Sequence, residues 1–494
     1  MTAAPKLDDD ANRLRWRAFA ISVAASAISI LDISKINVAL PSLEHALDAG
    51  PGLLQLLVAG YALTLGLTLI PSGRMGDITS RSRLFMIGIA MFLLTSLLCA
   101  LAPDITILLI GRLLQGVAAG MLMPQVIGII QQLFHGHERA VALGTFGAIV
   151  GISTAFGPAL GGFLLGLGSE IDSWRLIFWM NIPLAAIILI FAPRYLPKTQ
   201  QKPTTKATMD PVGVILLALA IFALMVPFVL TTGRPDDDPK RWFWLFAFAA
   251  LAALFALWEL RYFRQGKTPV VSFRLFNFSS FRNGVIVGFF YFGVMPPLFL
   301  LSTLYLQNGL GVSPLEAGLV SAPFALASAF TSWYSGRLVY KIGRKLVVYG
   351  LILFAIGVTL ALFAAIYSPV DYTVVLMASS LLIGGFGSGM IITPNQTLML
   401  DDIPVYEGGL AGSIGQVGQR IGTAIGVAIA ISTFYSTIYA EEHLVNKLEV
   451  YHDAYRNAVL VIFSFVAVAL LFSFVDIVQG RGKKRGLTGP IPLP

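Results

Sequence analysis

Long apolar runs separated by short polar linkers recur along the whole chain. Their cores lie at about 16–40, 52–71, 84–102, 105–131, 139–166, 174–193, 211–231, 242–262, 283–306, 315–337, 346–366, 372–399, 408–435 and 456–477. At ~1.5 Å per residue each is long enough to cross a hydrocarbon layer of roughly 30 Å as an α-helix. The pattern predicts an all-α polytopic membrane protein with fourteen spanning helices. An even number of crossings puts both termini on one side.

The distribution of Lys and Arg chooses that side. Linkers in phase with the N-terminus carry Arg74, Arg81 and Arg83, then Arg194, Lys198, Lys202 and Lys206, then Arg337, Lys341, Arg344 and Lys345. Most linkers of the opposite phase have none. Residues 232–241, with Arg234, Lys240 and Arg241 among aspartates, depart from this, and Asp401, Asp402 and Glu407 make one in-phase linker acidic. Both termini are therefore expected in the cytoplasm.

An internal repeat organises the spans. Gly73-Arg74-Met75-Gly76-Asp77 through Arg81-Ser82-Arg83 follows the second span, and Gly336-Arg337 through Gly343-Arg344-Lys345 follows the tenth. Gly120-Met121 and Gly389-Met390 repeat at a similar offset. Two parallel repeats then form two six-helix bundles, over 16–193 and 283–477, the arrangement of a transporter whose site lies between repeats. Residues 211–262 are an inserted two-helix hairpin. The tail 1–15, the linkers 194–210 and 263–282, and the basic tail 478–494 are cytoplasmic. Residues 436–455 are the longest outer loop, read as a solvated connector or a short helical hairpin.

Composition agrees with a membrane reading. Hydrophobic residues make up 56% of the 494 and charged residues 12%, against roughly 25% charged in soluble domains. The net charge of +8 reads as a topology signal rather than a nucleic-acid footprint. The lone Cys99 excludes a disulfide framework. The first run is long, charged and without a small-residue cleavage site, so it is expected to stay as a helix rather than leave as a signal peptide. The histidines at 45, 135, 137, 443 and 452 are expected in loops, no metal-ligand spacing appears, and no nucleotide-binding Gly-rich Lys motif is present. An enzyme is not expected, nor is a metal or other cofactor beyond protons as coupling ion.

The chemistry concentrates in charges inside spans. Asp32 and Lys35 are three residues apart on one helix face. Asp32 is nine residues from Pro41, roughly 13 Å along the axis, and so near mid-membrane. Each such charge costs a few kcal/mol to insert. Arg112 is the other deep charge of the first repeat and the expected partner of Asp32; Arg420 is a deep cation in the second. Gly116 and Gly120 make a small-residue face for close helix contact. The stretch Gly73, Arg74, Gly76, Asp77 and Arg81 reads as a conformational latch, asymmetric because its second copy has Tyr340 in place of Asp77. Gly157, Pro158, Gly161 and Gly162 read as a helix pivot. Asn37, Tyr61, Gln115, Phe156, Phe178, Asn181, Phe290, Asn395, Gln419 and Arg420 are candidate substrate contacts.

At these motifs the chain resembles the major facilitator superfamily, in particular its fourteen-helix drug:proton antiporters. Leu31-Asp32 through Asn37-Val38-Ala39-Leu40-Pro41 looks like the family's first-helix motif, and Gln55 through Tyr61 is similar to its second-helix pattern. Residues 73–83, 111–120 and 147–162 look like motifs A, B and C. Trp174-Arg175 through Asn181-Ile182-Pro183, Asp210-Pro211 through Gly213, and Tyr305-Leu306-Gln307 through Ala317-Gly318 also fit. The resemblance implies the major facilitator fold and proton-coupled export of small amphipathic drugs across the plasma membrane, a bacterial inner membrane, by a monomer. It implies proton carriage by Asp32, assisted by Arg112. Lys35 and Arg420 depart from the family pattern, which has an apolar residue and a glutamine there. Their added positive charge raises the alternative of an anionic or zwitterionic metabolite or lipid as substrate.

Overall fold

A computed structural model describes residues 9–49, 51–167, 172–198, 210–231, 237–267, 269–441 and 446–486. The described residues are almost wholly helical. The helices are α1 Asp9–Leu47, α2 Pro51–Ile78, α3 Arg81–Ala100, α4 Ile105–Leu133, α5 Gly136–Leu167, α6 Arg175–Trp179, α7 Asn181–Tyr195, α8 Pro211–Val229 and α9 Trp244–Arg264. They continue as α10 Ser279–Phe292, α11 Met295–Leu304, α12 Pro314–Leu319, α13 Ala322–Ile342, α14 Lys345–Tyr367, α15 Val370–Met399, α16 Gly408–Ala440 and α17 Lys447–Gly486.

Local signals start several of them. Asp104 accepts a hydrogen bond from the Ile107 amide at 2.9 Å at the head of α4, and Ser313 with Glu316 forms a capping box on α12. Such caps satisfy amides that the first helical turn leaves without partners. Three predicted spans are interrupted. The sixth divides into α6 and α7, the ninth into α10 and α11, and the tenth into α12 and α13. Met295-Pro296-Pro297 opens α11, and Pro323 sits at the start of α13. A proline lacks the amide that would continue the preceding helix, so the chain breaks where an apolar count alone runs on.

Twelve helical stretches among the described residues are long and apolar enough to cross a membrane. Two predicted spans, those at 139–166 and 315–337, fall on α5 and on α12 with α13, outside that set. Of the two readings of 436–455, the solvated connector is corrected: the segment is helical at both ends, since α16 continues to Ala440 and α17 begins at Lys447, with 442–445 outside the described residues. The histidine reading is corrected too. His45 lies within α1, His137 within α5 and His452 within α17, because helices extend beyond their apolar cores; His443 falls outside the described residues. The linker positions Lys202, Lys206 and Arg234 also fall outside them.

The chain divides into two compact units. One comprises 1–142, 153–211 and 404–413; the other comprises 143–152, 212–403 and 414–494. In the first unit, α4 packs along α2 and α3, and α1 packs on α7 and α4. The closeness of α2 and α4 follows from Gly116 and Gly120. A Cβ on Gly120 would stand 2.6 Å from the Leu65 carbonyl oxygen, and one on Gly116 would overlap Tyr61. In the second unit, α13 and α14 both pack on α15, and α10 and α14 pack on α17. Helix α9 buries only Phe255 and Glu259. Glu259 accepts the amides of Val270 and Val271 at 3.1 and 3.2 Å, which ties the following linker to the helix end.

Candidate functional site: a buried charge network

Four helices of the first unit bring their polar residues to one point. Asp32 and Lys35 come from α1, Ser96 from α3, Arg112 and Gln115 from α4, and Asn181 from the start of α7. All are buried, with Asp32, Lys35, Gln115 and Asn181 at 0% exposure. Arg112 Nη1 donates to Asp32 Oδ2 at 2.5 Å and to Gln115 Oε1 at 2.9 Å. Gln115 Nε2 in turn donates to Ser96 Oγ at 2.8 Å.

Asn181 bridges the two charges of α1. Its Nδ2 donates to Asp32 Oδ1 at 2.6 Å, and its Oδ1 accepts from Lys35 Nζ at 2.7 Å. An amide is the side chain that offers a carboxylate a donor and an ammonium an acceptor at once. Lys35 Nζ also donates to the Ile177 carbonyl at 2.9 Å and stands 3.8 Å from Asp32 Oδ1. The ion pair expected from the three-residue spacing is therefore present, but the shortest bonds of Lys35 go to α6 and α7. Aromatic faces close the other side. The Arg112 guanidinium carbon lies 4.3 Å from the Tyr61 ring centroid and 5.9 Å from that of Phe178, within the range of a cation–π attraction.

Tyr61, Gln115, Phe178 and Asn181, read from sequence as substrate contacts, thus surround the charges. Helix α5 closes on α1 beside them. A Cβ on Gly161 would lie 2.9 Å from the Lys35 carbonyl oxygen, and one on Gly157 would overlap Ser34. Gly162 meets nothing within 4 Å. Phe156 is 54% exposed on α5. The side chains of Asn37 and Pro158 lie outside the described residues.

The residues read from sequence as a latch also meet in the first unit. Asp77 Oδ1 accepts from Arg81 Nη2 at 2.7 Å and from Arg81 Nε at 2.9 Å. It also takes the amide of Gly409 at 3.2 Å, while Oδ2 takes that of Leu410 at 2.8 Å. These amides belong to the first turn of α16, where unsatisfied N–H groups and the helix dipole favour a carboxylate. Arg81 further donates to the carbonyls of Gly128 and Val405. Gly73 and Gly76 are pressed against Ser413 and Gln125, and Arg74 is buried.

Its repeat copy is wired differently. The Tyr340 hydroxyl donates to Asp401 Oδ1 at 2.9 Å, so the acid sits on the linker after α15 instead of on the helix. Arg344, at the repeat position of Arg81, pairs with Asp476 of α17 and donates to Asn395 Oδ1 at 2.5 Å and the Ser280 carbonyl at 2.8 Å. Asn283 Nδ2 donates to the same Asp476 at 3.1 Å. Burial pushes the Arg344 guanidinium below its ordinary value, and Asp476 opposes that. Asn395, a predicted substrate contact, is thereby held between Arg344 and the Gly284 carbonyl. Gln419 lies beside it across Gly288, Phe290 packs edge-on against Phe465, and Arg420 is half-buried on α16. Sequence reasoning missed Ser96, Asn283 and Asp476 as network members; a single serine or asparagine in an apolar run gives no sign of what it meets.

A family model described as the Major Facilitator Superfamily matches residues 22–427. The chain belongs to the major facilitator superfamily. Among curated members, it is 30% identical over 403 residues to the probable actinorhodin transporter of Streptomyces coelicolor, covering 81% of this chain and 69% of that protein. It is 29% identical over 386 residues to the multidrug resistance protein Stp of Mycobacterium tuberculosis, covering 78% and 69%. The human organic anion transporter MFSD10 shares the fold, with a TM-score of 0.63 at 14% identity over 92% of this chain and 99% of that one.

Membership makes this superfamily chain a multi-pass membrane transporter of small molecules and not an enzyme. Among its described residues no group of three or more His, Cys, Asp or Glu side chains is placed to hold a metal ion.

Proposed function

We propose that the protein is a proton-coupled antiporter that exports small amphipathic compounds across the plasma membrane by alternating access. The observation that carries this reading is the carboxylate of Asp32 held at zero exposure by Arg112 and Asn181. A buried acid whose partners sit on other helices changes its proton affinity when those helices move. Rearrangement of α4 or α7 would withdraw Arg112 and Asn181 from Asp32, the residue through which we propose that protons couple to transport. Lys35 and Arg112 outnumber the single carboxylate, so the network depends on Asp32 to hold two buried cations together. A proton crossing the membrane potential supplies about 2.3 kcal/mol per 100 mV.

The likeness to proteins named as an actinorhodin transporter and a multidrug resistance protein supports an exported organic substrate. We read α5 and α13, with the twelve apolar stretches, as completing fourteen spans, and the Lys and Arg distribution supports cytoplasmic termini. The test is efflux from inverted vesicles or proteoliposomes under an imposed pH gradient, with a panel of cationic, neutral and anionic organic compounds. Accumulation that collapses with the gradient and is abolished in Asp32→Asn is expected. Gradient-independent flux, or full pH-driven transport by that variant, would overturn the reading.

A further inference from the structure

We propose that the ends of α1 and α7 form a binding site for the headgroup of an anionic phospholipid. The Arg17 guanidinium carbon lies 5.7 Å from the Tyr195 ring centroid and that of Arg194 lies 5.9 Å from the same ring. Two cations from two helices are thus gathered on one aromatic side chain. Arg13 stands one turn before Arg17 and lines, with Asp10, Leu14 and Arg17, a shallow groove of about 410 Å³. Arg13, Arg17 and Arg194 are all exposed. None of the three is ion-paired among the described residues, and Asp10 forms no salt bridge with them. Arg15 provides the contrast on the same helix: it is engaged by Glu138 at 3.0 Å and by Asn12 at 2.8 Å.

Three arginines share this region with one carboxylate, Asp10, that pairs with none of them, so the site carries a net positive charge that a phosphodiester would offset. The apolar side of the site fits a lipid rather than a free anion. Ile187, Ile190 and Phe191 are 52%, 70% and 45% exposed. With Arg194 they follow the spacing i, i+3, i+4, i+7, one continuous stripe on α7. An acyl chain lying on that stripe delivers its headgroup to Arg194, Tyr195 and Arg17. Clusters of basic side chains where helices meet the membrane surface have this affinity for anionic lipid, and tyrosine favours the same interface. This inference is independent of the proton-coupling proposal.

The experiment compares the full chain and the R17Q/R194Q variant in phosphatidylcholine nanodiscs with graded phosphatidylglycerol, reading retained lipid by native mass spectrometry. A matching thermal melt verifies that the variant is folded. At roughly fivefold per basic side chain, the double variant is expected to retain phosphatidylglycerol about 25-fold more weakly. Phosphatidylcholine retention is expected to be unchanged. Equal phosphatidylglycerol retention by both chains would overturn the proposal. So would displacement of the lipid by soluble glycerophosphoglycerol at matched concentration, since the apolar stripe would then contribute nothing.

Discussion

Asp32 is held through both of its oxygens, Oδ2 by Arg112 Nη1 at 2.5 Å and Oδ1 by Asn181 Nδ2 at 2.6 Å. The donors come from α4 and α7, and the acceptor from α1. Any movement of these helices against one another therefore acts directly on the carboxylate. Asp32→Asn is expected to abolish pH-driven transport. Removing the anion leaves Lys35 and Arg112 buried without it, at a cost of about 3–5 kcal/mol. The measurements are efflux under a pH gradient and a thermal melt in detergent; full retention of both would sink this account.

Asn181 joins Asp32 to Lys35, so its loss is felt at two charges. Asn181→Leu strips a donor from one and an acceptor from the other. Hydrogen bonds to charged groups contribute about 1.5–3 kcal/mol each. The expected result is a clear drop in melting temperature with loss of transport. A leucine variant as stable as wild type would show that water replaces the amide.

Gly161 and Gly162 are adjacent but should differ sharply on substitution. A Cβ at Gly161 meets the backbone of Lys35 at 2.9 Å, while one at Gly162 meets nothing within 4 Å. Gly161→Val is expected to push α5 from α1 beside the charge network and impair transport. Gly162→Val is expected to be near neutral. Side-by-side transport rates decide, and equal impairment would contradict the packing.

Asp77 grips a segment of α16 that carries a glycine. A Cβ on Gly409 would stand 2.7 Å from Asp77 Oδ1. Gly409→Val should break the carboxylate's bonds to α16 as surely as Asp77→Ala does. Loss of a charge-assisted contact to helix-end amides is worth about 1–3 kcal/mol. The double variant Asp77→Ala, Gly409→Val should be little worse than either single one. Fully additive melting-temperature losses would show that the two residues act separately.

Arg344 and Asp476 form the corresponding buried pair of the second unit. Arg344→Leu leaves Asp476 with Asn283 as its remaining partner of this set. The single variant is expected to lose about 3–5 kcal/mol, whereas R344L/D476L recovers part of it because no unpaired charge remains. A double variant worse than the single would refute the pairing.

The periodicity and charge of the sequence determined a great deal by themselves. Apolar run length predicted the spanning helices, because a helix in lipid must satisfy its backbone internally. The cost of a membrane-embedded charge singled out Asp32, Lys35 and Arg112, and the repeated Gly-Arg stretch singled out Asp77 and Arg81. Interruptions at Met180, Val294 and Val320 were hidden, since an apolar count does not register a local break. Partner choice belonged to tertiary structure. Lys35 lies one turn from Asp32, yet its closest bonds go to Asn181 and Ile177, which are over 140 positions away. Arg81 finds its acid four residues back, but its repeat counterpart Arg344, with Tyr340 at that place, takes Asp476 instead. Spacing along one helix says which residues share a face. Only the packing of α1, α4 and α7 against one another decides which polar groups meet there, because a buried charge is stabilised by whatever donor or acceptor comes within about 3 Å.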